Sequence, residues 1–422
     1  MLEKIKSKLK SDFMKVYFFD MVAKVFTLAI SIIIIRCLSQ ADYAQYTLFT
    51  SIGSFISGVL GSGMGLAYTR YAVMLHEKKD HADGLLYKNL RGKLLILSGC
   101  VLAISIIAYV LLKDLSYVYV FGIAYGLTLA LYQLNVVFYQ ARERFSMGGI
   151  VSNVKNILVA VVLFVIFISP IDTQLLPTLL IYLIAIISSW LVTTFLINKT
   201  LKIENLAYDN ATASLYFKDM VKDSIWIILY MFMLSAFNQL DVMLLNQMRT
   251  AEDVANYGVA YKYYANVLSL LPALQVVLRV RNSKKEVVEN SGLQRQSVVQ
   301  WLRKSSPLAG ALFVLGVIAA YIALPILNGV EYNAAIITFD ILLVGACLSY
   351  MTAPNVSIMI SAGKQKTLFF LSIGSFLINL VGNLIFIPVY GANAAACTTI
   401  LAHFFLNGGS TMILLLTKEE NN

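Results

Sequence analysis

Long apolar runs, each about the length that crosses a bilayer, recur along the chain between short polar connectors. A helix crosses roughly 30 Å of hydrocarbon in about 20 residues. On that ruler the first six spans lie near 14–35, 44–68, 94–112, 116–139, 150–169 and 176–197. Six more follow near 224–246, 255–279, 306–327, 334–360, 367–388 and 394–416. The pattern predicts an all-α polytopic membrane protein of about twelve transmembrane helices. The first run follows a cationic start, as a signal peptide does. Arg36-Cys37-Leu38 comes next rather than a small-residue cleavage site, so it is read as a retained helix.

Composition sharpens the class. Of 422 residues, 59% are hydrophobic and 13% charged, against about 25% charged in a soluble domain. A soluble enzyme, a disordered chain and a nucleic-acid-binding module are excluded. Cys37, Cys100, Cys347 and Cys397 are too widely spaced for a disulfide framework or a metal site. They are expected to be buried, reduced and small.

The formal charge of +10 is explained by where the cations sit. With the N-terminus inside, the inside segments hold 28 Lys and Arg, and the outside loops hold only Arg36, Lys113 and Arg249. Arg142, Arg144 and Lys155 count as one inside group. This asymmetry follows the positive-inside rule and predicts both termini in the cytoplasm. It also removes nucleic acid as a partner. No loop is long enough for a separate domain, so the function must be carried out within the bilayer.

An internal repeat divides the chain. Asp42-Tyr43-Ala44-Gln45-Tyr46 recurs as Asp253-Val254-Ala255-Asn256-Tyr257, in the pattern D-x-A-[QN]-Y, at an offset of 211 residues. Both copies lie on an outside loop and lead into a span. The expected organisation is an N-terminal six-helix bundle over 1–200, a cytoplasmic linker over 201–223 and a C-terminal six-helix bundle over 224–422. The two pseudo-symmetric bundles would flank a central cavity.

The stretch Asn238–Asn266 resembles the seventh and eighth helices of bacterial polysaccharide exporters. Asn379–Thr399, with its Ile-Pro and Tyr-Gly-Ala-x-x-Ala-Ala patterns, is similar to their eleventh-to-twelfth helix junction. Arg36-Cys37-Leu38-Ser39 with Asp42, Tyr43 and Tyr46 fits as well, as does Gly65-Leu66-Ala67-Tyr68-Thr69-Arg70. The family resembled is the O-antigen type of lipid-linked oligosaccharide flippase, in the multidrug/oligosaccharidyl-lipid/polysaccharide exporter (MOP) superfamily. The resemblance implies translocation of a polyprenyl-diphosphate-linked glycan across the bacterial inner membrane. It also implies membrane lipid and other polysaccharide-assembly proteins as partners.

Ionisable residues inside spans are costly and are functional candidates by default. Asp20 and Lys24 lie one turn apart on the first span. Asp241 on the seventh and Lys262 on the eighth have similar depth and are expected to be able to pair. In the functional reading, Lys24 and Lys262 attract a diphosphate or acidic sugar, while Asp20 or Asp241 couples transport to an ion gradient. The alternative is two structural salt bridges. Asn238 shares a face with Asp241, next to Ser235 and Gln239. Tyr261, Tyr263, Tyr264 and Asn266 surround Lys262, either as a glycan surface or as an interfacial aromatic belt. Tyr132, Gln133 and Asn135 on the fourth span suit helix packing. Arg70 and Arg279 close the second and eighth spans, either meeting a diphosphate or anchoring the helices. Asp340 is expected at an interface.

No G-x-x-x-x-G-K-[ST] loop appears, and His76, His81 and His403 lack metal spacing. No enzyme, metal or cofactor is expected. The rivals are a small-molecule antiporter of the same superfamily, a membrane enzyme with a large catalytic loop, and a scaffold. The outer loops are too short for the enzyme.

Overall fold

The computed structural model describes residues 25–78, 82–112, 116–168, 174–203, 209–268, 271 and 291–416. Among them every regular element is a helix. Hydrocarbon offers a backbone amide no partner, so an apolar run must close its hydrogen bonds within itself. The chain begins with α1 (Val25–Cys37) and α2 (Gln40–Ser57), which passes through a π-helical turn (Gly58–Ser62) into α3 (Gly63–Lys78). Then come α4 (Asp83–Leu111), α5 (Tyr117–Ala141), α6 (Phe145–Ile168), α7 (Leu175–Ile203), α8 (Asn210–Met248) and α9 (Ala251–Leu268). After α10 (Ser291–Asn328) and a 3-10 turn (Val330–Tyr332) follow α11 (Ala334–Met351), α12 (Ala353–Ser361) and α13 (Gln365–Leu416).

Among the described residues, 9 segments are long and apolar enough to cross a membrane, α2 to α3 counting as one. The 52-residue α13 supplies two crossings, because Gly391 (φ 58°, ψ −135°) breaks it. Ser375 Oγ donates to the Ala402 carbonyl at 2.5 Å, and Asn379 Nδ2 to Thr399 Oγ1 at 3.1 Å. Pairs centred so close to Gly391 meet only when the helix folds back on itself. Helices α1 and α9 overlap two further predicted spans, 14–35 and 255–279. Ile96, Ile104, Val110 and Leu111 stand exposed along α4, as a lipid-facing wall requires. This is a multi-pass membrane protein.

The chain forms two compact units, Met1–Leu38 with Leu48–Ser235, and Ser39–Thr47 with Ala236–Asn422. The divisions fall inside α2 and α8. The stretch expected as a linker is helical from Asn210 onward. Asp209 starts that helix: the Thr212 hydroxyl, then the Ala211 and Thr212 amides, hold its carboxyl below the usual range.

In the first unit, Asp83 at the start of α4 meets Arg142 at the end of α5. Arg142 Nε reaches Oδ2 at 2.6 Å and Nη2 reaches Oδ1 at 3.2 Å. Both side chains are buried, and the guanidinium lies 4.3 Å from the Phe138 ring centroid. Deeper in α5, Asn135 accepts from Tyr87 at 2.6 Å and donates to Thr193 and Thr194 of α7 at 2.7 and 2.9 Å. The second unit repeats this device. Asn355 of α12 donates to Ser410 and Thr411 of α13 at 3.2 and 2.7 Å.

The thiols depart from expectation. Cys347 is buried and Cys37 half-buried, but Cys100 and Cys397 are exposed. On an apolar surface a thiol behaves as a small hydrophobe, so burial is not required.

Candidate functional site

A buried carboxylate organises the second unit. Asp241, on α8, is 2% exposed. Its Oδ1 accepts from Asn379 Nδ2 at 3.0 Å and Asn383 Nδ2 at 2.6 Å. Its Oδ2 accepts from Thr399 Oγ1 at 2.5 Å and from the Tyr257 hydroxyl. Outside this ring, Asn383 Nδ2 also reaches Asn379 Oδ1 at 3.2 Å, and Thr398 donates to Asn383 Oδ1. The α13 hairpin is what brings Asn379, Asn383 and Thr399 together. Asn379 and Asn383 share a face at i and i+4, and Thr399 returns on the second arm. Arg249, in the α8–α9 turn, ties this arrangement down, donating to Asp253 at 2.7 Å and to the Pro388 carbonyl at 3.2 Å.

Every partner of this carboxylate is neutral. An ion taken out of water costs several kcal/mol unless it is paired, and four donors offset only part of that. The cluster nevertheless gathers hard oxygens: two carboxylate, two amide and three hydroxyl. Amide rotation would turn Asn379 and Asn383 from donors into acceptors. Such a set suits a proton or one monovalent cation, whose single charge matches the single carboxylate.

The Asp241–Lys262 pairing does not form. Tyr257 occupies the position facing Asp241, and Lys262, five residues further along α9, is turned about 140° away from it. Lys262 is half-buried. The stripe Tyr257, Tyr261, Tyr264 packs within the unit, with ring centroids 5.9 and 5.7 Å apart. Tyr264 contacts His403 Nε2 at 3.2 Å, and Tyr263 donates to Asn328 at 3.1 Å. Asn238 is half-buried one turn before Asp241, and Arg70 is exposed on α3. Asp340 is half-buried on α11, and one of its carboxylate oxygens is buried without a hydrogen-bond partner. Asp20, Lys24 and Arg279 lie outside the described residues.

Sequence reasoning did not assign Tyr257, Asn379, Asn383 or Thr399 to the site. The two asparagines at i and i+4 within an apolar span were the available signal, since unpartnered amides do not belong in hydrocarbon.

A family model described as "Polysaccharide biosynthesis protein" matches residues 16–278. The chain belongs to the polysaccharide biosynthesis protein family. Solved structures carry the same fold. A lipid II flippase MurJ, in an inward closed conformation, aligns over 95% of this chain and 86% of its own, with a TM-score of 0.70 and 12% identity. The MATE transporter VcmN of Vibrio cholerae, in a mutant form, covers 96% of both chains with a TM-score of 0.66 and 13% identity. An inward-facing multidrug resistance MATE transporter of the MOP superfamily covers 97% of this chain and 100% of its own, at 0.66 and 12%. No curated protein sequence matches the chain. This member of the polysaccharide biosynthesis family therefore has the all-α, multi-pass fold of these transporters, as the resemblance implied.

Proposed function

We propose that this protein carries polyprenyl-diphosphate-linked oligosaccharide repeat units across the bacterial inner membrane by alternating access, coupled to an ion gradient. The match to the polysaccharide biosynthesis family carries the proposal. The neutral-lined carboxylate Asp241 supports the coupling. Dragging glycan hydroxyls through hydrocarbon costs several kcal/mol for each unpaired group. A polar path replaces that water with protein donors and acceptors, while the polyprenyl tail stays in lipid.

In this mechanism Lys24, Lys262, Arg70 and Arg279 attract the diphosphate or an acidic sugar, and Asn238 hydrogen-bonds the headgroup. Asp241, and Asp20 on the first span, take up the coupling ion. Binding of the ion exchanges the amide donors around Asp241 for carbonyl acceptors, which repacks the α13 hairpin against α8. Both termini lie in the cytoplasm.

Small-molecule antiport is the second reading, favoured by the likeness to MATE folds. One experiment separates the two. The full chain is reconstituted in liposomes with a lipid-linked oligosaccharide, and glycan exposed on the far side is measured with and without an imposed sodium or proton gradient. Gradient-accelerated exposure is expected, and Asp241→Asn removes the acceleration while Lys262→Ala lowers the rate. Drug exchange without glycan exposure overturns the proposal.

A further inference from the structure

The first unit holds a cation that the charge count had placed in a cytoplasmic segment. Lys155 sits ten residues into α6, about 15 Å along the helix. Its ammonium lies 3.2 Å from the hydroxyl of Tyr125, on the neighbouring helix α5. Tyr125 is itself sixteen residues, or about 24 Å, from the end of α5 that joins α6. A snorkelling lysine reaches toward the helix end and water; this one reaches along the bundle. Among the described residues no carboxylate pairs with it.

Lys155 lines a cleft of about 340 Å³ together with Gly61, Gln133, Gln140, Ser152 and Asn156. Ligand sites begin near 300 Å³. Ser152, Lys155 and Asn156 share one face of α6. Its exposed apolar side chains Ile157, Leu158, Val161 and Val165 point elsewhere. The cleft therefore lies on a different face of α6 from those side chains, and Leu129, Val136 and Val137 line it beside the polar groups. Gln133 carries a buried Oε1 without a hydrogen-bond partner. It rests on Gly61, where any side chain would collide with it. Gly61 belongs to the π-turn, a distortion common at functional sites. An unpaired cation and an orphan acceptor in one recess call for a ligand bearing both an anion and a hydroxyl.

We infer that this cleft binds a lipid-borne phosphate, with Lys155 on the phosphate oxygens and Gln133 accepting from an adjacent hydroxyl. Naming the transported diphosphate-linked glycan as the source rests on the proposed function; the site itself does not.

The test is binding to the purified full chain in nanodiscs, with polyprenyl diphosphate, polyprenol and phosphatidylglycerol as separate probes. Loss of one charge-assisted contact corresponds to about ten- to a hundredfold in affinity. That loss is expected for polyprenyl diphosphate in Lys155→Gln, while Lys155→Arg binds within about threefold of wild type. Gln140→Glu, which adds a repelling carboxylate to the cleft without removing Lys155, is expected to weaken the same probe. Preference for polyprenyl diphosphate over phosphatidylglycerol assigns the site to substrate, and equal binding of the two assigns it to bilayer lipid; both outcomes support a phosphate site. Unchanged binding in Lys155→Gln and Gln140→Glu, or polyprenol binding as well as its diphosphate, overturns it. Binding without glycan translocation would remove only the transport proposal. Translocation with unaltered binding in both variants would remove only this site.

Discussion

Thr47 lies against Gly258 so closely that a Cβ on the glycine would stand 2.5 Å from the threonine Oγ1 and 3.2 Å from its Cβ. The two positions are 211 residues apart, the same offset as the D-x-A-[QN]-Y repeat. Helices α2 and α9 approach closely here, and the glycine at position 258 allows it. In a background with the four native cysteines replaced, Thr47→Cys with Gly258→Cys is expected to form a disulfide under mild oxidation. The β-carbons are within a few tenths of an ångström of the ~3.5–4.5 Å that disulfides use. Mass spectrometry of the digested protein checks it; free thiols at both sites after oxidation would refute the contact.

The Asp83–Arg142 pair is buried, so removing one member takes a charged hydrogen-bond partner from the other. Arg142→Met is expected to cost about 3–5 kcal/mol, and Arg142→Met with Asp83→Leu less, because the double variant removes both of these buried charges. Thermal unfolding in detergent of the two single variants and the double gives the comparison. A double variant as damaged as the worse single would contradict it.

Asn135 and Asn355 perform one task in two units, each bonding a neighbouring pair of hydroxyls. Replacing either by Leu is expected to cost about 0.6–1.7 kcal/mol per lost interhelical bond. Asn135→Leu has the larger effect, because it also leaves the Tyr87 hydroxyl without its acceptor. Equilibrium unfolding in mixed micelles ranks them.

Gly391 occupies backbone space closed to other residues, at φ 58° and ψ −135°, with Asp253 Oδ1 2.9 Å from where a Cβ would stand. Gly391→Ala is expected to cost about 1–3 kcal/mol and to loosen the hairpin that carries Asn379, Asn383 and Thr399. Lower thermal stability accompanied by faster hydrogen exchange on both arms of α13 is the expected signature.

Asp241 shows how far one-dimensional information reached. A carboxylate in an apolar run identifies itself, because the cost of placing it there needs no knowledge of its neighbours. Its partners do not identify themselves. Asn379, Asn383 and Thr399 are 138, 142 and 158 residues away. Lys262 looked suitable by depth, but helix rotation, which packing sets, put Tyr257 in its place. Lys155 shows the same limit: the charge count groups it with Arg142 and Arg144, and only the neighbouring helix places Tyr125 beside it.

The chain's own pattern thus determined the membrane class, the twelve spans, the repeat and the charges worth watching. These follow from transfer energies that accumulate residue by residue along a helix. Only the folded arrangement decided which side chains share a site, which lysine enters a cleft between helices and where the long last helix turns back. Those outcomes depend on helix rotation and on hydrogen bonds between distant segments, and neither is encoded by any local run of sequence.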